Sequence, residues 1–227
     1  PVVSDLRAMD VAFGGQGAPI VPIGEKLLLG DYDYFLNLGG IANISFNRDK
    51  YVAFDICPAN RVLNMLVSEF KKEYDDEGKI AATGTIHEGL MNKLNVLGYY
   101  QQTFPKSLAN DFGTDVVYPL IKSFEVSVED GLRTMVEHIV FQIKKAILTL
   151  GNHNQTGTGF KLLATGGGAL NTFLVQLLTE QLSPLNVDVI IPDIKLINYK
   201  EALVMAFIGV LRWRQEYNVL SSVTGAS

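Results

Sequence analysis

Short apolar, β-rich runs broken by single polar residues follow one another closely at residues 34–38, 42–46 and 51–56, and residues 42–46 alternate strictly. Period two is the signature of a strand with one face buried. The first two stretches flank Gly39-Gly40 and the third follows the turn residues 47–50, so a three-stranded meander is expected. The period then changes. Pro58 suits the first turn of a helix, where its missing N–H costs nothing, and Val62, Leu63, Leu66, Val67 and Phe70 recur at helical spacing. Asp55 thereby falls at a strand-to-helix junction.

Between Tyr74 and Gly113 the periodicity weakens, with turn signals at Gly78, Gly84, Gly98 and Pro105 and one helix expected over 87–96, which reads as a helical insertion. Ser127 with Asp130 resembles a capping box. The apolar stripe behind it, Leu132, Met135, Val136, Ile139, Val140, Ile143, Ile147 and Leu150, predicts a long helix. Strands over 161–165 and 187–191 alternate with helices over 171–181 and 201–216. This order indicates an α/β domain, a mixed sheet covered by helices. Residues 1–5 read as the middle and exit of a strand, as if the chain had been cut from something longer.

Composition narrows the partner. With 48 percent apolar and 19 percent charged residues, the 227-residue chain has the balance of a folded domain or two small ones. A formal charge of -5 with scattered Lys and Arg argues against nucleic acid and for a small-molecule partner. The single cysteine, Cys57, cannot form an internal disulfide and needs no oxidising compartment. The longest apolar run, 202–211, is about half of what a bilayer core requires, so a core helix is expected and no membrane.

Two glycine clusters and one acid point to phosphoryl transfer. Asn37, Gly39, Gly40 and Asn43 lie on the first turn; Gly166, Gly167, Gly168 and Asn171 lie between a strand and a helix. Bare backbone approaches an anion closely and presents N–H donors to it. The alternative for Gly39-Gly40 is an ordinary tight hairpin. For Asp55 the alternative to catalysis is a helix-capping carboxylate. His87, His138 and His153 have no ligand spacing, so no metal site is read. Cys57 is expected to pack at a strand end, Phe35, Phe46 and Phe54 in the sheet core, and Asp75, Asp76 and Glu77 in a solvated turn.

The chain resembles the second half of the actin-like ATPase and sugar-kinase superfamily, and within it the anhydro-N-acetylmuramic acid kinase family. The resemblance is carried, in family order, by Asp5 to Ala12, Gly14 to Pro19, Asn37 to Asn43, Phe54-Asp55 with Pro58 and Asn60, Asp75 with Gly78 and Gly84, Pro105-Lys106-Ser107, Gly166 to Gly168, Glu201 with Ala206-Phe207, and Val223 to Ala226. It implies an actin-like (ribonuclease H-like) domain over 34–217 with a mixed five-stranded sheet and a helical insertion at about 74–125. An inter-domain segment precedes it over 1–33 and a tail follows over 218–227. It also implies a cytoplasmic enzyme that uses ATP and Mg2+ on an amino sugar, as a homodimer. Asp55 matches the catalytic base, and Arg7, Asp10, Gln16, Asn60 and Glu201 match sugar contacts. A local ion pair with Asp5 or Asp10 is the alternative for Arg7, and a first-turn acid favoured by the helix dipole is the alternative for Glu201.

Three departures from the family pattern carry expectations of their own. Cys57 and Ala59 stand where the pattern has glycines, so side chains are expected to intrude on the substrate. The stretch Leu108 to Asp111 replaces Thr-Gly-Arg-Glu and is expected to alter sugar or nucleotide contacts. The family's first domain has no counterpart, so this chain alone is expected to have little or no kinase activity. The competing readings are a silent nucleotide- or sugar-binding module of the same fold and, behind it, an actin-like ATPase acting on a protein.

Overall fold

The computed structural model describes residues 2–15, 17, 19–48, 51–104, 106–151 and 159–225. Tyr34–Leu38 (β1), Ile41–Phe46 (β2) and Val52–Pro58 (β3) form the expected antiparallel meander; Phe160–Thr165 (β4) and Val187–Ile190 (β5) extend it in parallel from the other edge of β1. The strand order is β3-β2-β1-β4-β5. The helices are Ala8–Ala12 (α1), Val21–Leu28 (α2), Asn60–Val67 (α3), Glu88–Asn95 (α4), Tyr118–Lys122 (α5), Val128–Leu150 (α6), Thr172–Leu182 (α7), Ile194–Trp213 (α8) and Ser221–Thr224 (α9). Mixed pairing follows from the connections. Short turns join β1 to β2 to β3, whereas a parallel neighbour needs a crossover, which α7 supplies between β4 and β5.

Several boundaries differ from the sequence reading. Pro58 ends β3 instead of opening α3, whose N-cap is Ala59. The last long helix starts at Ile194, because the Asp193 carboxylate accepts the Leu196 N–H at 2.8 Å and caps it there. Glu201 is therefore in mid-helix, and the first-turn reading of it falls. Residues 2–5 join no strand, and Asp5 has a positive φ of 53°. Ser127 caps α6 as read, but Asp130 does not close the box. Its carboxylate accepts from Thr85 N at 2.7 Å and Thr85 Oγ at 3.0 Å, tying α6 to the insertion. Asp75 is no solvated acid either: it accepts the Ile80 and Ala81 N–H groups, each at 2.9 Å.

Each strand sends alternate side chains to two different layers. Tyr34, Leu36 and Leu38, with Ala42, Ile44, Leu162 and Ala164, join Val62, Leu66, Met135, Ile139, Leu174 and Leu178 in the main core under α3, α6 and α7. His138 lies inside this layer, bonded to Asn95 Oδ1 at 2.8 Å and Tyr100 OH at 3.0 Å, and burial lowers its pKa to about 3. It is a satisfied core histidine. The opposite sheet face carries Asn37, Asn43, Ser45, Asp55 and Thr165, and α2 and α8 lie across from it.

α2 and α8 have a small core of their own: Ile20, Ile23, Val204, Ile208 and Leu211. Gly24 permits the approach, since a Cβ there would meet Val204 Cγ2 at 2.5 Å. Glu25 fastens this pair to the sheet: it accepts from Tyr51 OH at 2.5 Å and from Lys200 Nζ at 2.9 Å, with all three residues buried. Among the described residues no helix is long and apolar enough to cross a membrane.

Candidate active site

A β-bulge sets the geometry of the site. Asn43 pairs with Asp55 and Ala42 with Cys57, which leaves Ile56 as the extra residue in β3. Without the bulge, strict alternation would put Asp55 and Cys57 on one face. With it, Cys57 turns into the main core beside Ala42, while Asp55 stays on the opposite face. Cys57 and Ala59 are both buried in that core, so the intrusion expected of them does not occur.

Asp55 belongs to a row that crosses four strands. It pairs with Asn43, Asn43 with Asn37, and Asn37 with Thr165, so four polar side chains stand side by side on one face. This face and the α2/α8 pair enclose a cleft of about 800 Å³. Asn37, Asn43, Asp55, Thr165 and Gly166 line its sheet side; Glu25, Asn198, Lys200 and Glu201 line its helix side; Lys106 and Ser107 close one end.

The segment after Phe104 runs along the free edge of β3 and holds Asp55 twice. Lys106 C=O accepts the Asp55 N–H at 3.2 Å. Asp55 Oδ2 accepts from Leu108 N at 2.8 Å and from Ser107 Oγ at 3.1 Å. Oδ1 takes no hydrogen bond among the described residues. Nor does Asp55 cap α3, which has no side-chain cap. The carboxylate is oriented through one oxygen and open to chemistry through the other. Beside it, burial and the Lys145 charge lower the pKa of Lys106, whose Nζ lies 4.4 Å from the Tyr99 ring centre.

The glycines work differently from the sequence reading. Neither Gly39 nor Gly40 has a positive φ. Their carbonyls face α3 and accept the N–H groups of Ala59 at 2.8 Å, Asn60 at 3.1 Å and Arg61 at 3.4 Å. Small residues let the turn reach the helix start and satisfy its free donors. Gly166 has φ 82° and ψ 169°, and a Cβ there would meet Asn37 Oδ1 at 2.6 Å and Leu38 O at 2.8 Å. Gly168 is pressed against Leu38, where an added Cβ would lie 2.8 Å from Leu38 Cβ. Gly167 is open, its nearest neighbour being Asn60 Nδ2 at 3.6 Å. The two clusters pack on each other, with the chain's own contacts accounting for Gly166 and Gly168.

Other residues read from the sequence hold structure. Asn171 caps α7, its Oδ1 accepting the Leu174 N–H at 3.0 Å. Asn60 Nδ2 donates to Leu38 O at 2.9 Å. Asp10 is buried and accepts from Gly17 N at 2.7 Å and Thr224 Oγ at 2.5 Å. Arg7 donates to Gly17 O at 2.7 Å and forms no ion pair among the described residues. None of these four lines the cleft. Gln16, like Pro105, His153 and Ala226, lies outside the described residues.

Thr165 was missed. It ends the strand read over 161–165 just before the glycines, and nothing in that reading showed that its face fronts a cleft. Its hydroxyl is buried, with 1% of the residue exposed, and has no hydrogen-bond partner among the described residues. Such a hydroxyl costs about 1–3 kcal/mol. This orphaned donor and the amides of Asn37 and Asn43 suit a polar or anionic ligand such as a nucleotide. Among the described residues no group of three or more His, Cys, Asp or Glu side chains is placed to hold a metal ion.

The family model described as anhydro-N-acetylmuramic acid kinase matches residues 1–227. Three curated proteins of that description are similar. The one from Aliivibrio fischeri is 35% identical over 187 residues, 79% of this chain and 50% of that protein. The one from Vibrio vulnificus is 32% identical over 234 residues, 99% of this chain and 62% of the relative. The one from Francisella tularensis subsp. novicida is 33% identical over 239 residues, 99% and 61% respectively. The chain thus spans between half and about three-fifths of their length. Among solved structures, the activator of the 2-hydroxyisocaproyl-CoA dehydratase from Clostridium difficile with bound ADPNP superposes with a TM-score of 0.50 at 15% identity, over 88% of this chain and 69% of that one. At that identity the likeness shows the fold alone, an α/β domain with a mixed five-stranded sheet flanked by helices.

Proposed function

Because the chain belongs to the anhydro-N-acetylmuramic acid kinase family, we propose that it forms the acid-bearing wall of a cleft in which an anhydro amino sugar is opened and phosphorylated. The observation that carries this reading is Asp55, gripped through Oδ2 and left open at Oδ1 on the cleft face. Asp55 Oδ1 takes the proton of a water that adds to C1 of 1,6-anhydro-N-acetylmuramic acid. The C1–O6 bond breaks with its electron pair going to O6, and O6 bonds to the γ-phosphorus as the bond from that phosphorus to the β,γ-bridging oxygen breaks, giving N-acetylmuramic acid 6-phosphate and ADP. ATP would supply that phosphoryl group, and Mg2+ bound with it would offset the charge of its phosphates. Such a reaction belongs to cell-wall recycling in the cytoplasm.

The rest of the cleft sorts around this acid. Lys106 and Ser107 stand beside the acid, Glu201 lines the helix side across the cleft, and Asn43, Asn37 and Gly166 lead away from Asp55 along the row. Arg7 and Asp10 serve the sugar at one remove, by fixing Gly17 and with it the loop that reaches Pro19 at the cleft wall. Since Cys57 and Ala59 face the core, they give no support to a silent binding module.

The test is ADP release by the full-length protein with Mg-ATP, with and without the anhydro sugar. Sugar-dependent ADP together with a 6-phosphate product is expected. Asp55→Asn keeps the shape and removes the base, so turnover should fall by about 10²-fold or more while nucleotide binding persists. Unchanged turnover in Asp55→Asn would sink the role given to Asp55.

A further inference from the structure

Thr165 sits at the far end of the polar row from Asp55 and combines three properties that do not go together by chance. It is 1% exposed, its hydroxyl has no partner among the described residues, and it lines the cleft. A valine has the same shape and would carry no unmet hydrogen bond, so packing alone does not explain a hydroxyl at this position. The partner is to be sought in the cleft.

Position along the row says which part of a ligand this is. Asp55 and Thr165 stand three strands apart, with Asn43 and Asn37 between them. Strand spacing puts their backbones about 14 Å from each other. A sugar whose C1 lies within reach of Asp55 holds its O6 at that same end. A phosphoryl donor in line with O6 then extends towards β1 and β4, over Asn37 and on to Thr165. Gly166, with φ 82°, turns the chain away immediately after Thr165 and leaves the hydroxyl beside bare backbone. Cations do not crowd this end. Among the described residues that line the cleft, Lys200 is paired with Glu25 and Lys106 lies beside Ser107, so the groups this wall offers at the Thr165 end are neutral donors.

We propose that the Thr165 hydroxyl donates a hydrogen bond to a phosphate oxygen of the nucleotide, making Thr165 a nucleotide-affinity determinant of the cleft. This rests on the kinase reading above. A bond from a hydroxyl to an anionic oxygen is among the stronger kinds, and losing it weakens nucleotide binding by about 10-fold or more.

The experiment uses the full-length protein with Thr165→Val and Thr165→Ser. Mg-ATP affinity is measured by calorimetry, KM is measured separately for ATP and for the anhydro sugar, and the melting temperature is taken without ligand. Thr165→Val should weaken ATP binding and raise its KM about 10-fold, leave the sugar KM within about two-fold, and melt no lower than the wild type. Thr165→Ser should keep wild-type ATP affinity. A purely structural threonine would instead lower the melting temperature and leave the KM values alike. Unchanged ATP affinity in Thr165→Val, or a rise confined to the sugar KM, would overturn the proposal. Wild-type protein that binds Mg-ATP but makes no sugar-dependent ADP would defeat the sugar reading alone, and the calorimetric comparison would still decide Thr165.

Discussion

Gly166→Ala tests how tightly the two glycine clusters are locked together. Gly166 has φ 82° and ψ 169°, a region that non-glycine residues enter at a cost of about 1–3 kcal/mol. The added methyl would lie 2.6 Å from Asn37 Oδ1, 2.8 Å from Leu38 O and 2.9 Å from Leu38 C. Asn37 can rotate, but the Leu38 atoms are backbone in a central strand and cannot retreat without opening the β1–β4 ladder. Overpacking of this kind costs about 1–3 kcal/mol more. The sum, roughly 4 kcal/mol, is a large share of the ~5–15 kcal/mol of a typical domain. In urea titrations of this chain, at a slope of about 3 kcal/mol/M, the midpoint should fall by more than about 1 M. Gly167→Ala is the internal control. Its methyl would find nothing nearer than Asn60 Nδ2 at 3.6 Å and needs no positive φ, so it should change stability by under about 1 kcal/mol. Equal midpoints for the two variants would refute this account of the loop.

Two further outcomes concern buried polar groups. Lys200→Met strips Glu25 of its ion-pair partner in a place where the side chains are 11% and 5% exposed, and should cost about 3–5 kcal/mol in a denaturant titration. Adding Glu25→Leu should recover much of that loss, because the uncompensated charge goes with it. His138 has its pKa lowered from 6.5 to about 3 by burial, so below pH 6.5 the unfolded chain binds a proton that the folded chain refuses. Its stabilising contribution is present above pH 6.5 and is lost as pH falls towards about 3, at about 1.4 kcal/mol per pH unit. Stability measured from pH 7 to 5 should show that slope in the wild type and a shallower one in His138→Gln.

The sheet and its flanking helices were legible because their signals are periodic. Strand period two separates Leu36 from Asn37, and the stripe from Leu132 to Leu150 admits only a long helix. What escaped depended on contacts across the chain. α2 lies in the stretch read only as an inter-domain segment; Pro22 is an acceptable helix start there and Gly24 makes room for Val204. The Glu25–Lys200 pair joins residues too distant for any spacing rule. Asp55 was readable as an acid at a strand end, but its grip by Ser107 and Leu108 was not, because an edge strand does not announce what will cover it. The bulge at Ile56 hid the true facing of Cys57, since alternation alone assigns it to the wrong side.

That bulge and the edge segment together fix which groups meet Asp55 and which turn away from it. Leu108 stands where the family pattern has threonine, yet what Asp55 uses from this residue is its backbone N–H, which every residue but proline provides. The Leu108 side chain is buried in the main core, 7% exposed. A change there is felt as packing and not as chemistry. Ser107, whose side chain does bond Asp55, keeps the family residue. The carboxylate is thus met by one side chain, Ser107, and one backbone N–H, Leu108, while the side chains of Cys57, Ala59 and Leu108 all lie in the main core. For this reason Ser107→Ala belongs beside Asp55→Asn in the activity series: it removes one of the two bonds on Oδ2 and leaves the amide of Leu108 in place. Turnover should drop by a smaller factor than in Asp55→Asn, with the melting temperature nearly unchanged at this exposed position. An equal collapse would mean that the hydroxyl acts on substrate directly and is more than a support for the acid.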